Sequence, residues 1–149
     1  MSSDYSELLR LLVECGVRFL VVGGYAVMEY AEPRYTKDLD LLIATDLANA
    51  ENIYRALREF GAPLSGLSAE DFTDPDAFYK MGSPPLRVDV LMSVPGVDFE
   101  EAWRDRQVAH LFGVEVPLIS RHHLIESKRA SGRPSDLIDL AALELAEGD

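Results

Sequence analysis

Phe19 to Ala44 reads FLVVGGYAVMEYAEPRYTKDLDLLIA, and its pattern decides the fold. Phe19-Leu20-Val21-Val22 is a short apolar run of the kind that forms a buried strand. Gly23-Gly24 lets the backbone turn tightly where that strand feeds a helix, and leaves bare N–H groups at the helix start, a natural seat for phosphate. A short helix is expected from Tyr25 to Ala31, ended by Glu32-Pro33. A second strand, Asp38 to Ala44, then carries Asp38-Leu39-Asp40. Side chains alternate across a strand, so Asp38 and Asp40 face one way while Leu39 and Leu41 face the other. Two carboxylates this close on one face repel unless a cation sits between them, and a hard divalent ion such as Mg²⁺ takes oxygen ligands of this kind. The stretch reads as a phosphate turn facing a metal-binding carboxylate pair.

A third carboxylate lies on a separate strand, expected at Leu86 to Met92, where Arg87, Asp89 and Leu91 share the face opposite Val88, Val90 and Met92. Taken alone, Asp89 could equally be a strand residue pointing at solvent. Beside Asp38 and Asp40 it completes a ligand set for one or two hard divalent ions. Such ions activate an attacking hydroxyl and stabilise the leaving oxygen in phosphoryl transfer. Asp89 then serves both as ligand and as acceptor of the nucleophile's proton.

The remaining chain supplies packing. Residues 4–15 form a helix with capping-box spacing at Asp4 and Glu7 and an apolar face of Leu8, Leu11, Leu12 and Cys15. Residues 46–60 form a second amphipathic helix, stopped by Gly61 and Pro63. Residues 62–85 are the least readable section: Phe72 or Ala77-Phe78-Tyr79 could contribute a strand, and Gly82-Ser83-Pro84-Pro85 reads as a turn. A short helix at Phe99 to Arg106 with Trp103 inward, a small strand at Val114 to Ile119, and two helices at about 120–131 and 134–146 complete the chain. Gly132 ends the first of those two, and Pro134 opens the second.

The bulk numbers bound the function. A chain of 149 residues with 48% hydrophobic and 27% charged content is one ordinary globular domain, with a core at about 1–118 and a helical pair at about 119–147. No run approaches the ~20 apolar residues needed to span a bilayer, and MSSDYSELLR lacks a signal-peptide pattern. A single cysteine, Cys15, rules out an internal disulfide and a cysteine-based zinc site, so the cytoplasm is the expected compartment. The net charge of −12 argues against a broad nucleic-acid surface, though not against a small nucleotide contact. Basic residues concentrate at Arg121, Lys128, Arg129 and Arg133. His110, His122 and His123 are expected to be surface or capping residues.

A Gly-Gly turn, a D-h-D segment after thirteen intervening residues, and a separate h-D-h strand together resemble the DNA polymerase beta-type nucleotidyltransferase superfamily. GGYAVMEYAEPRYTKDLDLLI is similar to the minimal nucleotidyltransferases of bacterial toxin–antitoxin systems, including abortive-infection E toxin-like proteins, which pair the Gly-Gly turn with an R-x-[ST]-x-D-[LI]-D segment. Here that segment runs from Arg34 to Asp40, and Lys128 to Leu140 is similar to their helical ending. The resemblance implies an α/β fold with a small mixed sheet, helices packed on one face and two C-terminal helices covering an edge. It also implies transfer of a nucleoside monophosphate from a nucleoside triphosphate such as ATP, with Mg²⁺ or Mn²⁺ as cofactor.

Carried over residue by residue, Gly23 and Gly24 approach the triphosphate, Asp38 and Asp40 hold the metals, and Asp89 completes the site near the acceptor. Arg34, Thr36 and Lys37 flank the carboxylates, and Thr36 shares the strand face of Asp38, where it could bond a phosphate or orient a ligand. For Arg34 and Lys37 the competing reading is a solvated loop charge. Lys128 is the candidate for a distant cation on the triphosphate. Its alternative is an ion pair, Lys128–Asp136 or Arg133–Asp139, stapling the last two helices, and Asp136 and Asp139 favour the staple. Gly24 stands where many superfamily members have a serine, so it offers only its backbone N–H.

The acceptor is left open among RNA, protein and small molecule. A cognate antitoxin is the implied partner, and no membrane contact is expected. Two other functions compete: a nucleotide- or partner-binding module on the same fold that does no chemistry, and an antibiotic-modifying nucleotidyltransferase.

Overall fold

The computed structural model describes residues 2–31, 38–83 and 86–147. Among them are six helices and six strands: α1 Ser2–Glu14, β1 Phe19–Val22, α2 Gly23–Tyr30, β2 Asp38–Ile43, α3 Leu47–Phe60, β3 Phe78–Ser83, β4 Leu86–Leu91, α4 Phe99–Arg104, β5 Gln107–Leu111, β6 Val114–Leu118, α5 Arg121–Ser131 and α6 Pro134–Glu147. A 3-10 helix at Ala69–Thr73 precedes β3. The strands form one mixed sheet in the order β3-β4-β2-β1-β6-β5. β1 and β2 are antiparallel, β2 and β4 parallel. The expected α/β architecture is therefore present.

Local chemistry explains most element ends. Asp46 caps α3 by accepting from the Asn49 N–H at 3.0 Å, and Gly61 closes that helix in the left-handed region at φ +92°. Ser120 caps α5 through the His123 N–H, and Gly132 ends it at φ +64°. α1 begins two residues earlier than its sequence suggests, so Asp4 lies inside the first turn, where a carboxylate still meets the positive end of the helix dipole.

Several expectations need correction. All four residues of β1 are buried. Because alternate side chains leave opposite faces, the sheet is covered on both faces at its centre rather than on one. The α5–α6 pair packs on α2 rather than covering a sheet edge. Gly82 and Ser83 of the expected turn belong instead to β3, whose register runs from Phe78 opposite Leu91 to Ser83 opposite Leu86, and Pro84 and Pro85 lie outside the described residues. Phe72 is buried, but in the 3-10 helix rather than a strand. In α4 the buried residue is Ala102, while Trp103 is half-buried and stacks on Phe99. β5 was not anticipated at all.

Candidate active site

The site grows from β2. Leu39 and Leu41 are fully buried while Asp38 and Asp40 are half-buried, which is the expected alternation. Core burial of the two leucines fixes which face the carboxylates take. Asp40 pairs with Val22 on one side and with Asp89 of β4 on the other, and Asp38 pairs with Arg87. Register partners on adjacent strands project from the same face about 5 Å apart. The sheet thus brings Asp38, Asp40 and Asp89 onto one surface, as the sequence suggested.

Gly23 closes the site from the β1 side. It adopts φ +68°, and a Cβ placed on it would collide with Asp40 Oδ2 and lie 2.9 Å from Asp40 Cγ. Only a glycine permits both the turn and the contact. No side chain caps the α2 N-terminus that begins there. We therefore expect Gly23→Ala to destabilise the fold by at least about 1–2 kcal/mol from backbone strain alone. It should also displace the Asp40 carboxylate and lose any activity that depends on it. Denaturant unfolding and a transfer assay on the same preparation check both.

The electrostatics mark Asp40 as the focus. Burial pushes its carboxyl up to about 7, and the charges of Asp89 and Asp38 push the same way, while Lys128 and Arg87 oppose them. Asp89 itself accepts from Arg87 Nε at 3.3 Å. Tyr5 holds the Arg87 backbone at both ends, donating to its carbonyl and accepting from its N–H, each at 3.1 Å. The Tyr5 ring meets Tyr25 at 6.3 Å and Phe112 at 5.1 Å between centroids. Phe112 adopts φ +51° in the β5–β6 hairpin turn. Desolvation raises the hydroxyls of Tyr5 and Tyr25, and the charge of Asp38 adds to both. Sequence reasoning gave no role to Arg87 or Tyr5. The signal for Arg87 was its place two residues before Asp89 on one face; Tyr5 left none.

Lys128 is buried, with Nζ 3.2 Å from Asp136 Oδ1 and 3.0 Å from Asp139 Oδ2. The expected staple is therefore present, with one change: Arg133 pairs with Asp136, at 2.8 Å through Nε, rather than with Asp139. The α5–α6 clamp is nonetheless electrically coupled to the carboxylates, because both Lys128 and Arg133 interact with Asp40. His123 is not a surface residue: its ring is buried and bonds Asp105 at 2.9 Å, tying α5 to the end of α4. Arg34, Thr36 and Lys37 lie outside the described residues.

Asp38, Asp40 and Asp89 offer only hard oxygen donors, and the raised Asp40 carboxyl reports a place where positive charge is favoured. Their donor type is the one a hard divalent cation takes. Among the described residues they form a neighbouring row rather than a closed three-ligand cage, since Asp89 turns toward Arg87. No helix among the described residues is long and apolar enough to cross a membrane.

The fold has counterparts among solved structures. The lincomycin-bound lincosamide antibiotic adenylyltransferase LnuA superposes with a TM-score of 0.58 at 13% identity, over 97% of this chain and 96% of its own. An antigenic nucleotidyltransferase-like protein from Paracoccidioides brasiliensis gives a TM-score of 0.55 at 16% identity, over 95% of this chain and 74% of its own. At these identities the likeness is one of fold, and it singles out no branch of the superfamily. No curated protein matches the sequence. Residues 1–145 match the family model described as nucleotidyl transferase of unknown function (DUF2204), to which this chain therefore belongs.

Proposed function

We propose that the protein transfers a nucleoside monophosphate from a nucleoside triphosphate to an acceptor hydroxyl, with Asp38, Asp40 and Asp89 holding Mg²⁺ or Mn²⁺. The observation that carries this reading is the contact between Gly23 and Asp40, because it puts the uncapped start of α2 directly against the carboxylates. When bound, the cations neutralise phosphate charge and make the acceptor hydroxyl easier to ionise. The N–H groups of Gly23 and Gly24 donate to triphosphate oxygens at the positive end of α2. Lys128 and Arg133 add positive potential on that side, and Thr36, Arg34 and Lys37 are further candidates for phosphate contact.

Asp89 takes the proton from the acceptor hydroxyl, and Arg87 holds that carboxylate in place. The hydroxyl oxygen bonds to the α-phosphorus as the bond to the β-phosphate bridging oxygen breaks, and pyrophosphate leaves. With α-labelled triphosphate, label should appear on an acceptor. With γ-labelled triphosphate it should leave as pyrophosphate, and Asp89→Asn should reduce transfer by about 10²-fold or more. Transfer of the γ-label, or no label transfer from any triphosphate, would overturn the proposal.

A small-molecule acceptor is the second reading. LnuA, covered over nearly its whole length, is an antibiotic adenylyltransferase of comparable size, so a chain this short is no obstacle to that activity. The toxin reading rests on the Arg34 to Asp40 and Lys128 to Leu140 motifs. Expression in a bacterial host separates the two: a toxin arrests growth and Asp38→Asn relieves the arrest, whereas a drug modifier leaves growth alone and raises resistance.

A further inference from the structure

The proposed transfer fixes directions on the sheet face. Attack at phosphorus places the incoming hydroxyl opposite the departing pyrophosphate. Gly23-Gly24 follow β1 on one side of Asp40, and Asp89 lies on its other side, so with the triphosphate seated at the glycine turn the acceptor approaches across Asp89 and the strand beyond it. That strand is β3, the edge of the sheet.

β3 places a specific set of groups there. Lys80 is the register partner of Asp89, so the two side chains leave the same face on adjacent strands. Phe78 and Gly82 flank Lys80 on that face, opposite Leu91 and Arg87. Phe78 is 60% exposed, and Lys80 Nζ lies 5.2 Å from its ring centroid. Gly82, at φ +82°, presents no side chain beside Arg87. Asp89 bonds Arg87 and not its register partner, and among the described residues no carboxylate lies within ion-pair distance of Lys80. An edge lysine can serve simply to prevent strand-edge association. That role does not call for an exposed aromatic ring beside it or a side-chain gap next to it, on the face that carries the carboxylates.

We propose that β3 forms the acceptor wall, with Lys80 gripping an anionic group that adjoins the attacking hydroxyl and Phe78 providing an apolar shelf. The inference rests on the nucleotidyl-transfer reading above. The shared chemistry is a phosphate beside a hydroxyl, which either a single-stranded RNA 3′ end or a phosphorylated sugar supplies.

The test measures α-label transfer to a short RNA with a free 3′-hydroxyl, to ribose 5-phosphate, and to lincomycin as an acceptor without phosphate. Triphosphate binding is measured in parallel by calorimetry. Lys80→Glu should lower kcat/KM for the phosphate-bearing acceptor about tenfold or more, mainly through KM, while Lys80→Arg retains it and triphosphate affinity is unchanged. Phe78→Ala should add a loss for RNA, whose bases can stack on the ring, but little for ribose 5-phosphate.

Lys80→Glu transferring like wild type would overturn the inference. So would wild type that binds triphosphate yet labels neither phosphate-bearing acceptor, or labels lincomycin alone. Wild type that binds no triphosphate would instead overturn the transfer reading itself.

Discussion

Asp40→Asn is expected to abolish nucleotidyl transfer and, in metal-free buffer, to make the protein more stable at neutral and alkaline pH. The two effects share a cause. Burial together with Asp89 and Asp38 raises the Asp40 carboxyl from 3.8 to about 7, so ionising it in the fold is unfavourable. The native state therefore holds a proton that the unfolded chain has already lost. Stability falls as pH rises from the unfolded value near 4 through about 7, and no penalty remains below that window. At about 1.4 kcal/mol per unit, the cost at pH 8 is roughly 4 kcal/mol, which the neutral amide avoids.

Chemical denaturation with chelator present should show wild type weakening between pH 5 and pH 8, with Asp40→Asn nearly flat across the same range. Added Mg²⁺ should restore the wild type and leave the variant unchanged, because a ligand stabilises only the state that binds it. A variant with the same pH slope as wild type would show that Asp40 is not the strained group.

Lys128→Met should produce the largest loss of stability, about 3–5 kcal/mol. Lys128 is 8% exposed and sits between Asp136 and Asp139, which are 2% and 3% exposed. Removing the cation leaves Arg133 as the remaining ion-pair partner of Asp136 among the described residues, on the rim of the clamp. Burial alone would raise the Asp136 carboxyl, but hydrogen bonds from Arg133, Ser131 and Lys128 outweigh it and hold the group well below the usual carboxylate range. That contribution is present above the unfolded value near 4 and is lost as pH falls below it. Lys128→Met should thus flatten the acid limb of the wild-type stability profile.

The double variant Lys128→Met/Asp139→Leu should recover part of the loss, since apolar groups often replace a buried ion pair at little cost. If stability recovers while triphosphate binding does not, Lys128 is both staple and phosphate cation. Recovery of both would reduce it to a staple.

How much of this was legible in the sequence follows from periodicity. Asp38, Asp40 and Asp89 could be placed because each interrupts or alternates with buried apolar residues on a strand, and a period of two assigns a face without further information. Gly23 was legible as a turn, but its collision with Asp40 is a tertiary contact that no local pattern encodes. β5 was missed because Gln107, Val108 and His110 are exposed, leaving Ala109 and Leu111 as its only buried residues. Its hairpin turn also uses Phe112-Gly113, both at positive φ, where asparagine or aspartate would ordinarily signal the turn. Phe112 is held there by packing on Tyr5 and Tyr25, residues distant in sequence.

β3 was misread for a related reason. Gly82 and Ser83 look like turn residues, yet pairing with Arg87 and Leu86 extends the strand through them. The Arg133 partner was misassigned because helical spacing allows either carboxylate. Arg133 precedes α6, and its backbone N–H already bonds Asp136, which brings the guanidinium to the same carboxylate.

The central claim, that the carboxylate row and the glycine turn form one metal-dependent nucleotide site, is tested most directly by calorimetry. Each of the four nucleoside triphosphates is titrated into wild type and into Asp38→Asn/Asp40→Asn, with and without Mg²⁺. The account predicts binding of at least one triphosphate that requires Mg²⁺ and disappears in the double variant while the fold persists. Binding that is indifferent to both metal and the two substitutions, or no binding of any triphosphate by folded wild type, would contradict it.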